Sequence, residues 1–180
     1  MILESIVTTL NEDNSANVSP MGPLTDATMS QFVLRPFNTS QTYRNLKRLG
    51  EGVLHVTDDV ELMARAAVGQ LDPAPMLKDA ESIEGKILTD ACRWYEFRVI
   101  EFDERNPRTE LTCEVIHHGR IRDFFGFNRA KHAVLEAAIL ATRLEFIPAE
   151  EVQSEFSRLA IIIDKTAGRQ EHDAFAFLRD

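Results

Sequence analysis

The chain opens on a run in which apolar and hydroxyl-bearing residues predominate. Residues 3–10 (LESIVTTL) are rich in β-branched side chains, the turn-prone NEDNS follows at 11–15, and a second extended stretch covers 16–19. Together they predict a β-hairpin. Pro20, Gly22 and Pro23 end it, because two prolines and a glycine cannot sustain ladder pairing. Residues 29–34 (MSQFVL) alternate as a third strand, which Arg35-Pro36 stops. Thr39 or Ser40 then caps a helix with Tyr43, Leu46 and Leu49 on one face, closed by Gly50 and Gly52. A short buried strand at 52–57 (GVLHVT) leads to a helix that begins at a capping box of Asp58 and Glu61 and runs through Leu62, Ala66 and Ala67 to Gly69. The proline-interrupted LDPAPML at 71–77 reads as loop. In ACRWYEFRVIEF (91–102), Tyr95, Phe97 and Val99 share one face and Trp94, Glu96, Arg98 and Ile100 the other. A partner strand at 110–116 turns Leu111, Cys113 and Val115 inward, making a long antiparallel hairpin.

The last third changes period. Asn128 caps a helix carrying Ala133, Leu135, Ala137, Ala138, Leu140, Ala141 and Leu144, and Pro148 breaks the chain before a second helix at 149–163. A third, short helix is expected at 170–178 after Gly168. Strands with two inserted helices, followed by helices alone, predict the α+β class: a curved or barrel-like sheet domain at 1–125 and a C-terminal helical subdomain at 126–180 packed on it.

Composition narrows the function. Lys and Arg number 20 against 29 Asp and Glu, a net charge of −9, so no affinity for nucleic acid is expected. The apolar runs are too short for a bilayer span, and Glu4 interrupts an N-terminus without basic residues, so a cytoplasmic protein with no membrane partner is expected. Cys92 and Cys113 are too few and too far apart for a disulfide framework or a CxxC metal site.

One stretch runs against the overall charge. Between residues 35 and 50 stand Arg35, Arg44, Lys47 and Arg48 and no acid, and Thr39, Ser40 and Thr42 lie where the helix begins. Free N–H groups and the positive end of the helix dipole favour an anion such as phosphate there. A helix with one solvated basic face, and Ser40 serving only as its cap, accounts for the same residues. A second basic cluster, Arg120, Arg122, Arg129 and Lys131, is interleaved with Phe124, Phe125 and Phe127 and opposed by Asp123. It suits a second planar ligand, such as a nicotinamide or a pterin-like substrate, or else phenylalanines that anchor the helices. His55 sits mid-strand as a core residue or a cofactor contact. His117 and His118 would face opposite ways on a strand and cannot share a metal. His132 lacks a second ligand on its helix, and His172 lies in an acidic tail. No phosphate-binding P-loop, Rossmann glycine pattern or nucleophile elbow occurs.

The motif order Asn17-Val18-Ser19-Pro20-Met21-Gly22, Arg35-Pro36, Thr39-Ser40-Gln41-Thr42-Tyr43-Arg44-Asn45-Leu46 and Val53-Leu54-His55-Val56-Thr57 resembles flavin-reductase-like proteins with an FMN-binding split barrel. Over nearly its full length, with the run from Gly126 to Ala137, Ala141-Thr142-Arg143 and Lys165-Thr166-Ala167-Gly168, the chain resembles an uncharacterised flavoprotein-like family defined as a domain of unknown function. The resemblance implies FMN as cofactor, its phosphate at Thr39, Ser40 and Thr42, charge pairing from Arg35 or Lys47, and its ring against Asn17, Ser19, Pro20 and Met21. It implies a homodimer that completes the site. The implied activity is an oxidoreductase or electron carrier exchanging electrons with a small molecule, in which the flavin rather than a protein nucleophile or metal does the chemistry. A non-catalytic binding or assembly protein and a deazaflavin-using relative are the other readings. The chain departs from its relatives at Asn14 and Ala167, where glycine is frequent.

Overall fold

The computed structural model describes residues 1–179. Its elements are β1 (Ser5–Leu10), β2 (Ala16–Met21), β3 (Leu24–Thr25), β4 (Gln31–Leu34), α1 (Gln41–Leu49), β5 (Glu51–Val56), α2 (Val60–Ala67), β6 (Leu77–Asp79), β7 (Lys86–Leu88), β8 (Arg93–Asp103), β9 (Glu110–Arg120), α3 (Arg129–Ala141), α4 (Ala149–Thr166) and α5 (Arg169–Arg179). They form two compact units. One contains residues 1–57 and 76–123; the other contains residues 58–75 and the chain from Phe124 onward.

The first unit is a curled antiparallel sheet in the order β2-β1-β5-β8-β9-β4-β3. Its far edges meet at the N-terminus: Ile2 bridges Leu24, and Thr25 N–H donates to the Met1 carbonyl at 2.9 Å. The class is the expected α+β, with the sheet as a half-barrel. Val7, Phe32, Leu34, Leu46, Leu54, Phe97, Leu111 and Cys113 fill its inside, and Leu46 brings α1 into that core. Burial holds the Cys113 thiol far above its usual pKa, so it is packing rather than chemistry. In the β1–β2 turn Asn14 takes φ 63°, a left-handed conformation that asparagine tolerates, so the missing glycine there is accommodated.

Three details differ from expectation. The stretch expected as plain loop ends in a two-stranded hairpin of β6 and β7, which covers the face of β8 opposite the barrel core. Glu96 and Phe97, successive residues on opposite faces of β8, are therefore both buried, which period-2 alternation does not anticipate. Glu96, fully buried on the covered face, accepts the N–H groups of Glu81 and Ser82 at 2.8 and 2.7 Å and Trp94 Nε1–H at 3.3 Å. Gly119 is required here, because a Cβ would stand 2.0 Å from the Trp94 ring. Asp59, not Asp58, caps α2, accepting Leu62 N–H at 2.9 Å, while the Asp58 carboxylate accepts Phe125 N–H at 2.8 Å. Finally, α2 belongs with the C-terminal helices rather than with the sheet, because Val60 and Ala64 complete a core of Ala130, Ala133, Val134, Ala137, Leu159, Ile163 and Phe175. A boundary at 125 along the chain thus differs from this discontinuous partition.

The helical unit explains the run around Asn128. Asn128 Oδ1 accepts Ala130 N–H at 2.7 Å as the cap of α3, and its Nδ2 donates to the Thr166 carbonyl at the end of α4. Lys131 Nζ reaches the Asp58 carbonyl at 2.6 Å, Gln170 Oε1 at 3.1 Å and Glu171 Oε1 at 2.9 Å. Burial opposes ionisation of Glu171, but the bonds from Lys131 and Gly168 N–H outweigh it and hold the carboxyl below its ordinary pKa. These residues lock the starts of α2, α3 and α5 to the end of α4.

Candidate functional site

The turn from β4 into α1 is the most promising site in the sheet unit. It is fixed at Pro36, whose carbonyl accepts both Thr109 N–H at 3.0 Å and Thr109 Oγ1–H at 2.9 Å. Just before it, Arg35 is half-buried; its Nε is shielded from solvent and makes no hydrogen bond. A guanidinium N–H left unpaired away from water costs free energy until an acceptor arrives.

Five residues on, Ser40 begins α1 in an extended conformation, its Oγ accepting Tyr43 N–H at 3.2 Å. The cap leaves the Ser40 hydroxyl hydrogen free to donate. The first two amides of the helix, those of Gln41 and Thr42, have no carbonyl to reach, and no acid lies in the first turn. Thr39 is exposed beside them, its carbonyl accepting Arg44 Nη1 at 2.7 Å.

Polar groups behind the turn hold it in place. Thr42 is buried, and its Oγ1 accepts from Asn17 Nδ2 at 3.1 Å; the same amide reaches Thr9 Oγ1 at 3.2 Å. Asn45 adds bonds to Thr9 Oγ1 at 3.0 Å and Asn11 Oδ1 at 2.9 Å, and accepts from Gln41 Nε2 at 2.8 Å. Thr42 and Asn17 thus position the helix start. Thr9 and Asn45 were not anticipated; the signal for them was an uncharged polar pair, Thr42 and Asn45, on the same helix face as Leu46.

The basic residues are not pooled. Lys47 pairs with Glu104 at 2.6 Å and bonds Tyr43 Oη at 3.1 Å, Arg48 donates to the Leu10 carbonyl at 2.6 Å, and Arg44 bonds within its own helix start. Arg35 alone among the four has a shielded, unpaired donor. Ser19, Pro20 and Met21 are half-buried on β2, the terminal strand of the sheet order, and Met21 packs against the barrel core.

The other candidates are structural. His55 is fully buried; its Nδ1 faces the Ile6 carbonyl at 3.3 Å, and its Nε2 accepts Leu88 N–H at 3.0 Å. Burial lowers its pKa to about 3, so the ring stays neutral and carries its proton on Nδ1. His117 faces Glu81 at 3.0 Å and His118 the Tyr95 ring on the opposite side of β9. Among the described residues no three metal-ligating side chains gather. Of the second basic cluster, Lys131 is spent on the helical lock, Arg120 pairs with Asp123 at 2.7 Å and Arg122 with Asp90 at 3.1 Å. Phe125 and Phe127 are more than nine-tenths exposed, and the Phe127 ring stacks on His132.

The sequence matches a family described as a protein of unknown function, DUF447, its N-terminal domain over residues 3–122 and its C-terminal domain over 128–180. The chain belongs to this family. An FMN-bound protein from Methanosarcina mazei, also of DUF447, is similar over 99% of this chain and 93% of its own, at 23% identity and a TM-score of 0.81. The flavin reductase HpaC, solved with NADP+, is similar over 71% of this chain and 82% of its own, at 18% identity and a TM-score of 0.59. For the NADH:FAD oxidoreductase SgcE6 of Streptomyces globisporus the shares are 66% and 70%, at 15% identity and a TM-score of 0.56. These likenesses establish for the DUF447 chain a flavin-reductase-like split-barrel fold. No curated protein matches it. No helix among the described residues is long and apolar enough to cross a membrane.

Proposed function

We propose that this DUF447 chain is an FMN-binding flavoprotein, an oxidoreductase or electron carrier exchanging electrons with a small molecule, acting in the cytoplasm as a homodimer. The observation that carries the reading is the shielded, unpaired Nε of Arg35, five residues ahead of a hydroxyl-lined helix start. The FMN in the Methanosarcina relative supports the same choice.

In this reading Arg35, the Thr39 and Ser40 hydroxyls and the Gln41 and Thr42 amides hold the phosphate, and Asn17, with Thr42, fixes the helix start at which it binds. Lys47 is a secondary charge; its exposed pair with Glu104 contributes ~1 kcal/mol or less and can exchange. Ser19, Pro20 and Met21 offer a hydroxyl, an apolar edge and the free backbone of a terminal strand to the ring, and a second copy covers the ring's other side. When bound, FMN supplies two-electron chemistry at its ring, which needs no protein nucleophile. The chain's part is to grip the phosphate, orient the ring and keep water from one face of it.

The test is the visible spectrum of the purified protein and its titration with FMN. Flavin absorbance, or micromolar binding of added FMN, is expected. Neither flavin absorbance nor micromolar binding would discard the reading, and preferential uptake of a deazaflavin would redirect it. Reduction of the bound flavin by NADH or NADPH separates a redox enzyme from a binding protein.

A further inference from the structure

The inner face of the sheet does not stay buried along its whole length. Ser19, Val7, Leu54, Tyr95 and His118 are successive cross-strand partners, so one row of side chains crosses β2, β1, β5, β8 and β9 on that face. Val7 and Leu54 are fully buried, whereas Tyr95 is half-buried and His118 exposed. Their rings lie 5.9 Å apart, tilted by 38°. Tyr95, Val56, Met21 and Met29 are each partly buried against the barrel core, and the two thioethers among them are adaptable. Among the described residues neither the Tyr95 hydroxyl nor the His118 imidazole makes a hydrogen bond.

The next pair on this face is Arg93 directly opposite Arg120, with Val56 across from Arg93 on its other side. Like charges in direct cross-strand register destabilise a sheet. Asp123 neutralises Arg120 at 2.7 Å, but Arg93 is exposed and has no carboxylate partner among the described residues. An anion seated between the two guanidiniums converts that repulsion into a clamp.

We infer that this open end of the barrel face, formed by Arg93, Tyr95, His118 and Arg120, binds a planar aromatic anion. The ring stacks on Tyr95 and His118, and its carboxylate or phosphate lies toward the arginines. As a ligand site the face stands on these four residues; as the place of the electron-exchanging substrate it rests on the flavin reading. Ser19 and Tyr95 are three strands apart in one row, about 14 Å of sheet, so a flavin ring against β2 and a second ring on β8 and β9 are neighbours rather than competitors.

The test is calorimetric titration of the protein as purified with 2-naphthoate, alongside cyclohexanecarboxylate and neutral 2-naphthamide. Saturable binding of one 2-naphthoate per chain is expected, at least tenfold tighter than either control. Arg93→Gln and His118→Ala, both surface changes, should each weaken it tenfold or more, while Arg35→Gln leaves it unchanged even where FMN binding is lost. Absence of saturable 2-naphthoate binding, equal binding of cyclohexanecarboxylate, or wild-type affinity in both variants would overturn the proposal. Loss of FMN binding with 2-naphthoate retained would count against the flavin reading alone.

Discussion

Two helix starts in this protein are chemically alike and structurally opposite. Both α1 and α3 begin at a polar cap, Ser40 and Asn128, lack an acid in the first turn, and carry bases close by. At α3 the internal bonds consume the lysine: Lys131 is held by a backbone carbonyl, an amide and the Glu171 carboxylate. At α1 the cap hydroxyl and two amides keep donating capacity, and the Nε of Arg35, five residues before the cap, has no acceptor at all. A basic helix start is therefore not a site in itself. What separates a lock from a receptor is whether the donors have already been satisfied by the protein.

The contrast can be broken most forcefully at Lys131. Replacing Lys131 by Met leaves Glu171 buried without its partner, and urea denaturation should show a loss of about 3 kcal/mol with FMN affinity unchanged. An unaltered midpoint would mean that the lock is dispensable. Acid separates the two regions next. His55 in the sheet unit has its pKa lowered to about 3, so the unfolded chain takes up a proton that the folded one refuses as pH falls below 6.5. Stability contributed by neutral His55 is complete above pH 6.5 and falls by up to about 1.4 kcal/mol for each pH unit down to about 3. Glu171, whose pKa is lowered from 4.5, weakens the helical unit only below that value. Denaturation curves between pH 6.5 and 4.5 should therefore show the sheet unit losing stability ahead of the helices, and a His55→Gln variant should be flatter over that range.

On the receptor side, Arg35→Gln should weaken FMN binding by tenfold to a hundredfold, the equivalent of about 1.5–3 kcal/mol for a charge-assisted bond, without lowering thermal stability. Unchanged affinity would remove the central support of the proposed function. Ser40→Ala is the smallest of these effects: about 1 kcal/mol of stability from the lost cap, with several-fold weaker FMN binding. A change in stability alone would assign Ser40 to capping only.

Local rules made much of the fold legible. The β1–β2 hairpin, the Ser40 and Asn128 caps, the break at Pro148 and the long β8–β9 hairpin follow from β-branched runs, capping chemistry and proline geometry, all of which act within a few residues. Less legible were β6 and β7, because a three-residue strand carries almost no periodic signal and its purpose is to cover Trp94 and Glu96, which lie far along the chain. The site was half legible. Residue types marked the turn at 35–42, with Arg35 and Lys47 the bases expected to pair with phosphate, but only the folded chain sets Lys47 against Glu104, Arg48 against Leu10 and Arg44 against Thr39.

By itself, the order of residues determined where most of the longer strands and helices lie and that a positively charged, hydroxyl-rich turn interrupts an acidic chain, since propensity, capping and net charge are properties of neighbouring residues. Only the folded chain decided which donors remain without acceptors, that α2 joins the C-terminal helices, and that Arg93 faces Arg120 beside the Tyr95–His118 pair. The physical reason is that hydrogen-bond satisfaction and cross-strand register depend on groups brought together from distant positions, and no local window contains both partners.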